Sequence, residues 1–351
     1  MLRRVVALVV LAAACALVWF LVSLFQPFTG SGHGRVKLTI PTGAGVSDIG
    51  SILQHDGVIS SSFFFKLAAT IDGDREKLHA GQYRMKLGMS YSSALDQLVA
   101  GPNIRYANVT IIPGRSRRQV QAQLRADGVK GNYVRATMRS SLLDPTRYGA
   151  PRSTPTLEGF LWPDTYNLRR PVKLSALVAD QLGRFEQEFT KVKLGYAKSK
   201  NLTGYDVLKI ASLISEEAML KKDLPKAASV IYNRLRLTMD LGLDSTVAYA
   251  TGNYGTLTEK DLHSRSPWNT TNRPGLPPTP IDSPDLAAIN AAAHPAHTKD
   301  LYFINKVCGD GALRFTSNYS QFLHWSAQWN SAVAKAAHDH KDAEFCKGGK
   351  P

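Results

Sequence analysis

An uncharged apolar run near the N-terminus is the first feature of the hydrophobic pattern. Val5 to Phe25 carries no charged residue, and a helix of that length crosses a hydrocarbon core of about 30 Å. Arg3 and Arg4 precede the run, and no Lys or Arg follows before Arg35. Because positive charge stays on the cytoplasmic side, we expect a retained anchor with a cytoplasmic N-terminus and an exported remainder.

A cleaved signal peptide is the alternative to an anchor. Ala12–Ala14 offers the small residues that a cleavage site needs. The apolar run continues past such a cut through Trp19, which favours retention. Cys15 lies inside the run, whereas Cys308 and Cys346 lie in the exported part, where a disulfide is chemically allowed.

Short strand–turn–helix units follow the apolar run. Residues 35–40, 81–87 and 109–112 each predict a strand, followed by a Gly-containing turn and apolar residues at helical spacing. The first and third units end alike, at Asp56–Val58 and Asp127–Val129, which indicates an internal repeat. Modules of this kind usually bind or act as spacers, so we expect binding rather than catalysis in the first third of the chain.

From Gly131 onward the pattern is mostly helical. Apolar residues at helical spacing predict helices over residues 175–191, 203–220, 223–237 and 321–337. Asp223 is expected to cap the third of these helices. Residues 301–304 and 313–316 predict a hairpin, and the Pro-rich stretch 266–280 predicts long ordered loops of the kind that often carry function.

Composition and charge narrow the possible partners. The 351-residue chain has a formal net charge of +15, which fits nucleic acid, an anionic membrane or an acidic wall polymer, or else a generic basic surface. An exported domain does not fit nucleic acid. A single apolar run excludes a polytopic transporter, and three cysteines are too few for a disulfide framework.

The segment of residues 210–218 holds the strongest candidate for chemistry. On a helix, Glu217 lies on the apolar face with Ile210, whereas Glu216 lies on the polar face. A carboxyl group among aliphatic side chains loses hydration, so its pKa rises and it can hold a proton near neutral pH. A general acid for a glycosidic oxygen needs that property. The alternative is a structural Glu paired with Arg234.

Two further segments combine aromatic rings with polar groups, as sugar-binding clefts do. The candidate side chains are Glu158, Trp162, Asp164 and Tyr166 in the first segment, and Asp244, Thr246 and Tyr249 in the second. Capping and turn roles are the alternative for the second group. We expect no metal and no cofactor, because the local pairs His294/His297 and His338/His340 lack a matching second pair of ligands, and no phosphate-binding loop is present.

Taken in order, these segments resemble the endolytic murein transglycosylase family, the MltG or YceG-like proteins. The similar stretches are residues 158–165, 211–217, 230–235, 244–246, 266–270, 275–278, 294–295 and 301–303. The resemblance implies a single-pass inner-membrane protein with a LysM-like module, whose outer catalytic domain cuts nascent peptidoglycan internally and so limits strand elongation. Peptidoglycan synthases are candidate partners on the same basis.

The resemblance also assigns individual residues. The catalytic Glu of the family lands on Glu217, and Asn269 joins the candidate substrate contacts. An earlier Glu of the family motif is Ser215 here, and a Gln and a Pro near Asp244 are replaced by Gly242 and Ser245.

The expected fold class is therefore α+β, with a transmembrane helix, a LysM-like module and a mixed, mostly helical catalytic domain. The expected boundaries are 1–4 for the cytoplasmic end, 5–25 for the anchor, 26–34 for a tether, 35–104 for the module, 105–340 for the catalytic domain and 341–351 for a tail.

The expected reaction is lytic transglycosylation. Glu217 would protonate the oxygen between MurNAc and GlcNAc, then take the proton of the MurNAc 6-hydroxyl. A muramidase that uses Asp164 or Asp244 to position water, and a non-catalytic wall-binding scaffold, are the alternatives.

Overall fold

The structure is a computed structural model that describes residues 2–26, 29, 32–307 and 311–338. Cys308, Cys346 and the expected tail lie outside the described residues. The chain divides into two units, Met1–Ala107 and Asn108–Pro351, and each has its own buried apolar cluster. We describe each unit by itself.

The first unit begins with a long apolar helix and continues as a small α+β module. Its elements are α1 (Leu2–Phe25), β1 (His33–Ile40), α2 (Val46–His55), α3 (Ser62–Ile71), β2 (Gly81–Leu87) and α4 (Tyr91–Val99). β1 and β2 form an antiparallel pair, in which Leu38 lies opposite Tyr83. Alternate residues of β2, Tyr83 and Met85, are fully buried, as the period of a half-buried strand requires.

The second unit is mostly helical. Its elements are β3 (Tyr106–Thr110), α5 (Arg117–Ala126), α6 (Tyr133–Ala136), β4 (Thr165–Arg169), α7 (Leu174–Phe189), α8 (Gly195–Ser199), α9 (Gly204–Glu217), α10 (Leu224–Arg236), α11 (Asp244–Thr251), α12 (Glu259–Leu262), α13 (Leu286–Ala293), β5 (Tyr302–Asn305), β6 (Leu313–Thr316) and α14 (Tyr319–His338). α9 is the central helix and packs against α10, α11 and α13.

The mixed, mostly helical α+β class is confirmed, and so are the four helices, with ends within a few residues of the predicted ones. The late hairpin is also confirmed, with Tyr302 paired to Thr316 and Asn305 to Leu313. Residues 264–285 form the predicted long loop, held in place by an isolated bridge between Arg115 and Ser283. The LysM-like assignment stays a prediction.

Two local predictions were incomplete or wrong, and one helix was not predicted. The third predicted strand forms as β3, but it pairs with β4 and does not repeat the β1–β2 arrangement. Asp223 occupies the N-cap position of α10, yet its side chain caps nothing. Its Oδ2 accepts a hydrogen bond from the Leu313 backbone N–H at 2.9 Å and so ties α10 to β6. α3 was not predicted, because its sequence is apolar on nearly every side and shows no clear period.

Candidate active site

Glu217 is the last residue of α9, where the central helix leaves the core. The helix starts with a capping box, in which Thr203 and Asp206 bond each other's backbone N–H groups at 2.9 and 3.1 Å. Ile210 and Ile214 on its apolar face are completely buried. Glu217 is half-buried, and the extended backbone of Ala218 ends the helix directly after it.

Ser245 is the direct partner of the Glu217 carboxyl. The Ser245 hydroxyl donates to Glu217 Oε1 at 2.7 Å, and Ser245 lies in the first turn of α11. Arg234, the alternative partner considered from the sequence, is occupied elsewhere. Its Nε donates to the Leu301 carbonyl and its Nη1 to the Leu241 carbonyl, both at 2.6 Å.

Opposing influences set the pKa of Glu217. Burial raises the pKa and is the largest of them, and the charge of neighbouring Asp244 acts in the same direction. The hydroxyl and the backbone N–H of Ser245 lower the pKa, because both bond the ionised form. The net pKa is raised, so this carboxyl keeps its proton to a higher pH than a free Glu does.

Two further carboxyls, those of Glu216 and Asp282, interact through their charges near Glu217. Glu216 is exposed, as its polar-face position predicted, yet desolvation within the site and the charge of Glu217 raise its pKa to about 7, against a lowering by Arg115. Asp282 is completely buried, and neither of its oxygens has a hydrogen bond of good geometry within the described residues. Burial raises the Asp282 pKa well above 3.8, the charge of Glu216 adds to this, and the nearby Ser215 hydroxyl opposes it.

Glu158 lies inside the protein and bonds two other elements. It is 2% exposed, and its oxygens accept from the Arg117 backbone N–H and the Tyr249 hydroxyl, each at 3.0 Å. Burial raises the pKa of Glu158 to about 7, although Arg117 lowers it. Although it is buried, Glu158 borders the cavity that Tyr249 and Trp268 also line.

Four other candidate residues are buried framework residues. Tyr166 donates to the Trp162 carbonyl at 2.7 Å, and both side chains are buried. Thr246 is fully buried and bonds the Leu243 carbonyl and the Thr270 hydroxyl. Asn269 is fully buried and donates to two loop carbonyls, those of Leu262 and Ser264. The burial and the internal hydrogen bonds of these four side chains favour a structural role in the second unit.

The remaining candidates reach the surface. Asp244 is exposed next to the Glu217 carboxyl. Asp164 is exposed on another part of the unit, where its Oδ2 lies 3.4 Å from Arg184 Nε. Tyr249 is half-buried, with its ring 6.2 Å from the Trp268 ring. A cavity of about 300 Å³ opens beside this aromatic pair.

α11 therefore connects the parts of the site through hydrogen bonds. Its first turn holds Glu217 through Ser245, its middle is fixed by Thr246, and its last turn bonds Glu158 through Tyr249. The sequence identified two of these three α11 residues as candidates and noted Ser245 only as a departure from a family pattern. Asp282 was missed, because its loop carries no recognisable catalytic spacing.

The described residues offer no cluster of metal ligands. Among residues 2–26, 29, 32–307 and 311–338, no three His, Cys, Asp or Glu side chains lie together in a way that could hold an ion. His340, a member of one local His pair, lies outside those ranges.

The site and the fold together place the chain among known proteins. It belongs to the YceG-like family, whose sequence pattern matches residues 38–328. A protein of Bacillus subtilis (strain 168), named endolytic murein transglycosylase, is 31% identical over an aligned length of 304 residues, and the match covers 82% of this chain and 83% of the relative.

A relative of the same name from Streptococcus pneumoniae R6 is 28% identical over an aligned length of 322 residues, and the match covers 83% of this chain but only 58% of that protein. A crystal structure of a yceG-like protein from Listeria monocytogenes is similar with a TM-score of 0.54 and 27% identity. That match covers 82% of this chain and 98% of the Listeria chain.

Proposed function

We propose that the protein is a peptidoglycan lytic transglycosylase and that Glu217 is its acid and base. The observation that carries this proposal is a half-buried, desolvated carboxyl at the end of α9, with a raised pKa and a hydroxyl donor 2.7 Å away. The relatives named endolytic murein transglycosylase support the same reaction class. Internal cuts in nascent strands would limit how long those strands grow.

The reaction follows in two proton transfers. Protonated Glu217 gives its proton to the oxygen between MurNAc and GlcNAc, and the bond from that oxygen to MurNAc C1 breaks. The carboxylate left behind, stabilised by the two donors of Ser245, then takes the proton of the MurNAc 6-hydroxyl. The 6-oxygen closes on C1 to give a 1,6-anhydro ring. Glu217 ends protonated as it began, and no water is consumed.

Hydrolysis is the second candidate, because Asp244 is exposed beside Glu217 and could activate a water. Product mass separates the two reactions. An anhydroMurNAc end is lighter than a hydrolysed end by one water, so mass analysis of the products from uncrosslinked strands should show anhydro ends. Products that carry the extra water and disappear in the Asp244→Asn variant would instead establish a muramidase.

The catalytic assignment is tested with a matched pair of variants. Glu217→Gln keeps the shape but transfers no proton, so cleavage should fall by at least about 10²–10⁴-fold while glycan binding persists. Glu216→Gln, on the exposed side of the same turn, should keep most of the activity. Equal losses in both variants, or full activity in Glu217→Gln, would contradict the assignment. An unaltered protein that binds strands without cutting them would support the scaffold.

The proposed location is the cytoplasmic (inner) membrane, with the N-terminus inside and the chain after α1 outside. Arg3–Phe25 is long and apolar enough to span a bilayer, and Arg3 and Arg4 lie at its inner end. The proposed partners are glycan strands and the bilayer, together with the synthases implied by the family resemblance. A LysM-like, glycan-binding role is proposed for residues 35–104.

A further inference from the structure

α3 exposes large apolar side chains that a water-facing helix normally lacks. Phe63 is 65% exposed and Ile71 is 57% exposed, and half-buried Leu67 lies between them on the same stripe. The opposite side of α3, at Phe65 and Ala69, is buried completely in the core of the first unit. The exposed stripe is therefore additional to the face that holds the helix in the fold.

The same helix is attached to the outer end of α1 within the first unit. The Phe64 ring lies 6.3 Å from the Trp19 ring and 5.6 Å from the Phe20 ring. Leu24 of α1 is 7% exposed. The Gln26 side chain donates to the Ser60 hydroxyl at 3.1 Å and accepts from the Tyr91 backbone N–H at 3.0 Å. These contacts fix the height of α3 along α1.

That height lies within the outer half of a bilayer. About 20 helical residues cross the hydrocarbon core. Counted outward from Arg4, the core ends near Leu24. Phe20 lies four residues short of that boundary, or about 6 Å inside it. Phe64 contacts Phe20 and Trp19, so α3 lies at the boundary between headgroups and acyl chains.

The order of side chains around α3 agrees with this depth. At about 100° per residue, Ile71, Leu67 and Phe63 follow one another around the helix, starting from the side of Phe64 that contacts α1. The polar residues Lys66 and Thr70 come next, followed by the buried face. The apolar stripe thus adjoins the spanning helix, and the polar edge lies farther from it.

We propose that α3 is an interfacial helix, whose stripe Phe63–Leu67–Ile71 inserts into the outer leaflet while Lys66 lies among the headgroups. Interfacial helices bury their apolar face about 5–10 Å into that boundary, which matches the height fixed by Phe64. The inference rests on the proposed membrane anchor. It gives the first unit a second attachment, so the module is held against the bilayer and cannot swing freely on one helix.

The test measures the depth of single fluorophores in the full chain. Cys15, Cys308 and Cys346 are changed to Ser, and one new Cys carrying an NBD label is placed by Phe63→Cys, by Lys66→Cys or, in α1, by Val9→Cys. Each chain is embedded in nanodiscs of phosphatidylethanolamine and phosphatidylglycerol. Quenching is compared between a lipid with a nitroxide near the top of its acyl chain and aqueous iodide. Retained glycan cleavage shows that each labelled chain is folded.

The label at position 63 should be quenched by the nitroxide lipid, with iodide quenching several-fold weaker than at position 66. Equal iodide quenching at positions 63 and 66, with lipid quenching only at position 9, would overturn the interfacial helix and leave the anchor intact. A label at position 63 shielded from both quenchers would mean that protein covers the stripe, which also overturns the proposal. If the nitroxide lipid did not quench the label at position 9, the proposed anchor would be wrong, and the interfacial helix would be wrong with it.

Discussion

At the scale of single residues, the site depends on how one carboxyl is balanced between two protonation states. Burial favours the neutral form of Glu217, and Ser245 favours the ionised form. A group that must act first as an acid and then as a base needs both, because either influence alone would trap it in one state. The Ser245 contact spans 28 positions of the sequence, so no local pattern could predict it.

Replacing Ser245 with Ala should move the pH dependence of cleavage to higher pH. The lost hydroxyl stabilised the carboxylate, so the pKa of Glu217 rises, and the acid form needed for the first step persists further into the alkaline range. A hydrogen bond to a charged group is worth about 1.5–3 kcal/mol, which corresponds to a shift of the order of one pKa unit. This shift is measured on the alkaline limb of the pH profile of kcat/KM.

Thr251→Ala, at the far end of α11, is the control and should leave the limb in place. The Thr251 hydroxyl donates to the Val247 carbonyl, one turn back, and accepts from the Asn253 backbone N–H. An unchanged limb in Ser245→Ala would show that the serine does not set the protonation of Glu217.

Asp282→Asn should make the thermal stability of the protein less sensitive to rising pH. The folded-state pKa of Asp282 lies well above the ordinary 3.8, so the carboxyl is neutral and harmless at low pH. As pH rises from that value towards the folded-state pKa, the native carboxyl increasingly destabilises the fold, because the unfolded chain ionises more easily. Asn cannot ionise, so the variant should lose less thermal stability between pH 5 and pH 8.

Asp180→Asn is the matched control for this measurement, because the Asp180 side chain is exposed. It should follow the parent protein at every pH. If Asp282→Asn also followed the parent, Asp282 would not be a neutral buried carboxyl.

At the scale of elements, the hydrophobic pattern predicted the helices and strands that bury only one of their sides. Buried residues alternate with more exposed ones in β1 and β2, and α9 has one apolar face. α3 escaped prediction because both its core-facing and its exposed sides are apolar. The pairing of β3 with β4 was also beyond the pattern, since alternation identifies a strand without identifying its neighbour.

Tyr249→Phe tests how firmly α11 is held in the second unit. The change removes the hydroxyl that donates to buried Glu158 at 3.0 Å and should cost about 1–3 kcal/mol of unfolding free energy. The Glu158 pKa is about 7, so the loss should be larger at pH 8, where the folded protein carries the ionised carboxylate, than at pH 5. Denaturant unfolding at the two pH values gives the comparison.

Tyr319→Phe, on exposed α14, serves as the reference and should change stability little at either pH. A Tyr249→Phe loss that is the same at both pH values would show that the tyrosine matters through packing and not through Glu158.

At the scale of the whole chain, the proposed catalysis and the proposed membrane attachment belong to different units. The second unit contains Glu217, Ser245 and the carboxyls of Glu216 and Asp282. The first unit contains α1 and the α3 stripe. The sequence predicts the spanning run and the Glu217 helix, because both are local patterns. The contact of α3 with α1 brings distant segments together and became visible only in the structure.

Removing α1 should release the protein from the membrane without abolishing cleavage. A chain that begins at Gly32 retains Glu217, Ser245 and the rest of the second unit, so its rate on soluble, uncrosslinked strands should stay within a few-fold of the full chain. The loss of Phe20 and Leu24 uncovers Phe64 beside the exposed stripe, so the shortened chain should still associate weakly with liposomes. The full chain should stay in the membrane pellet after an alkaline carbonate wash. A full chain released by the wash, with a mature N-terminus near Cys15, would establish a cleaved signal peptide in place of the anchor.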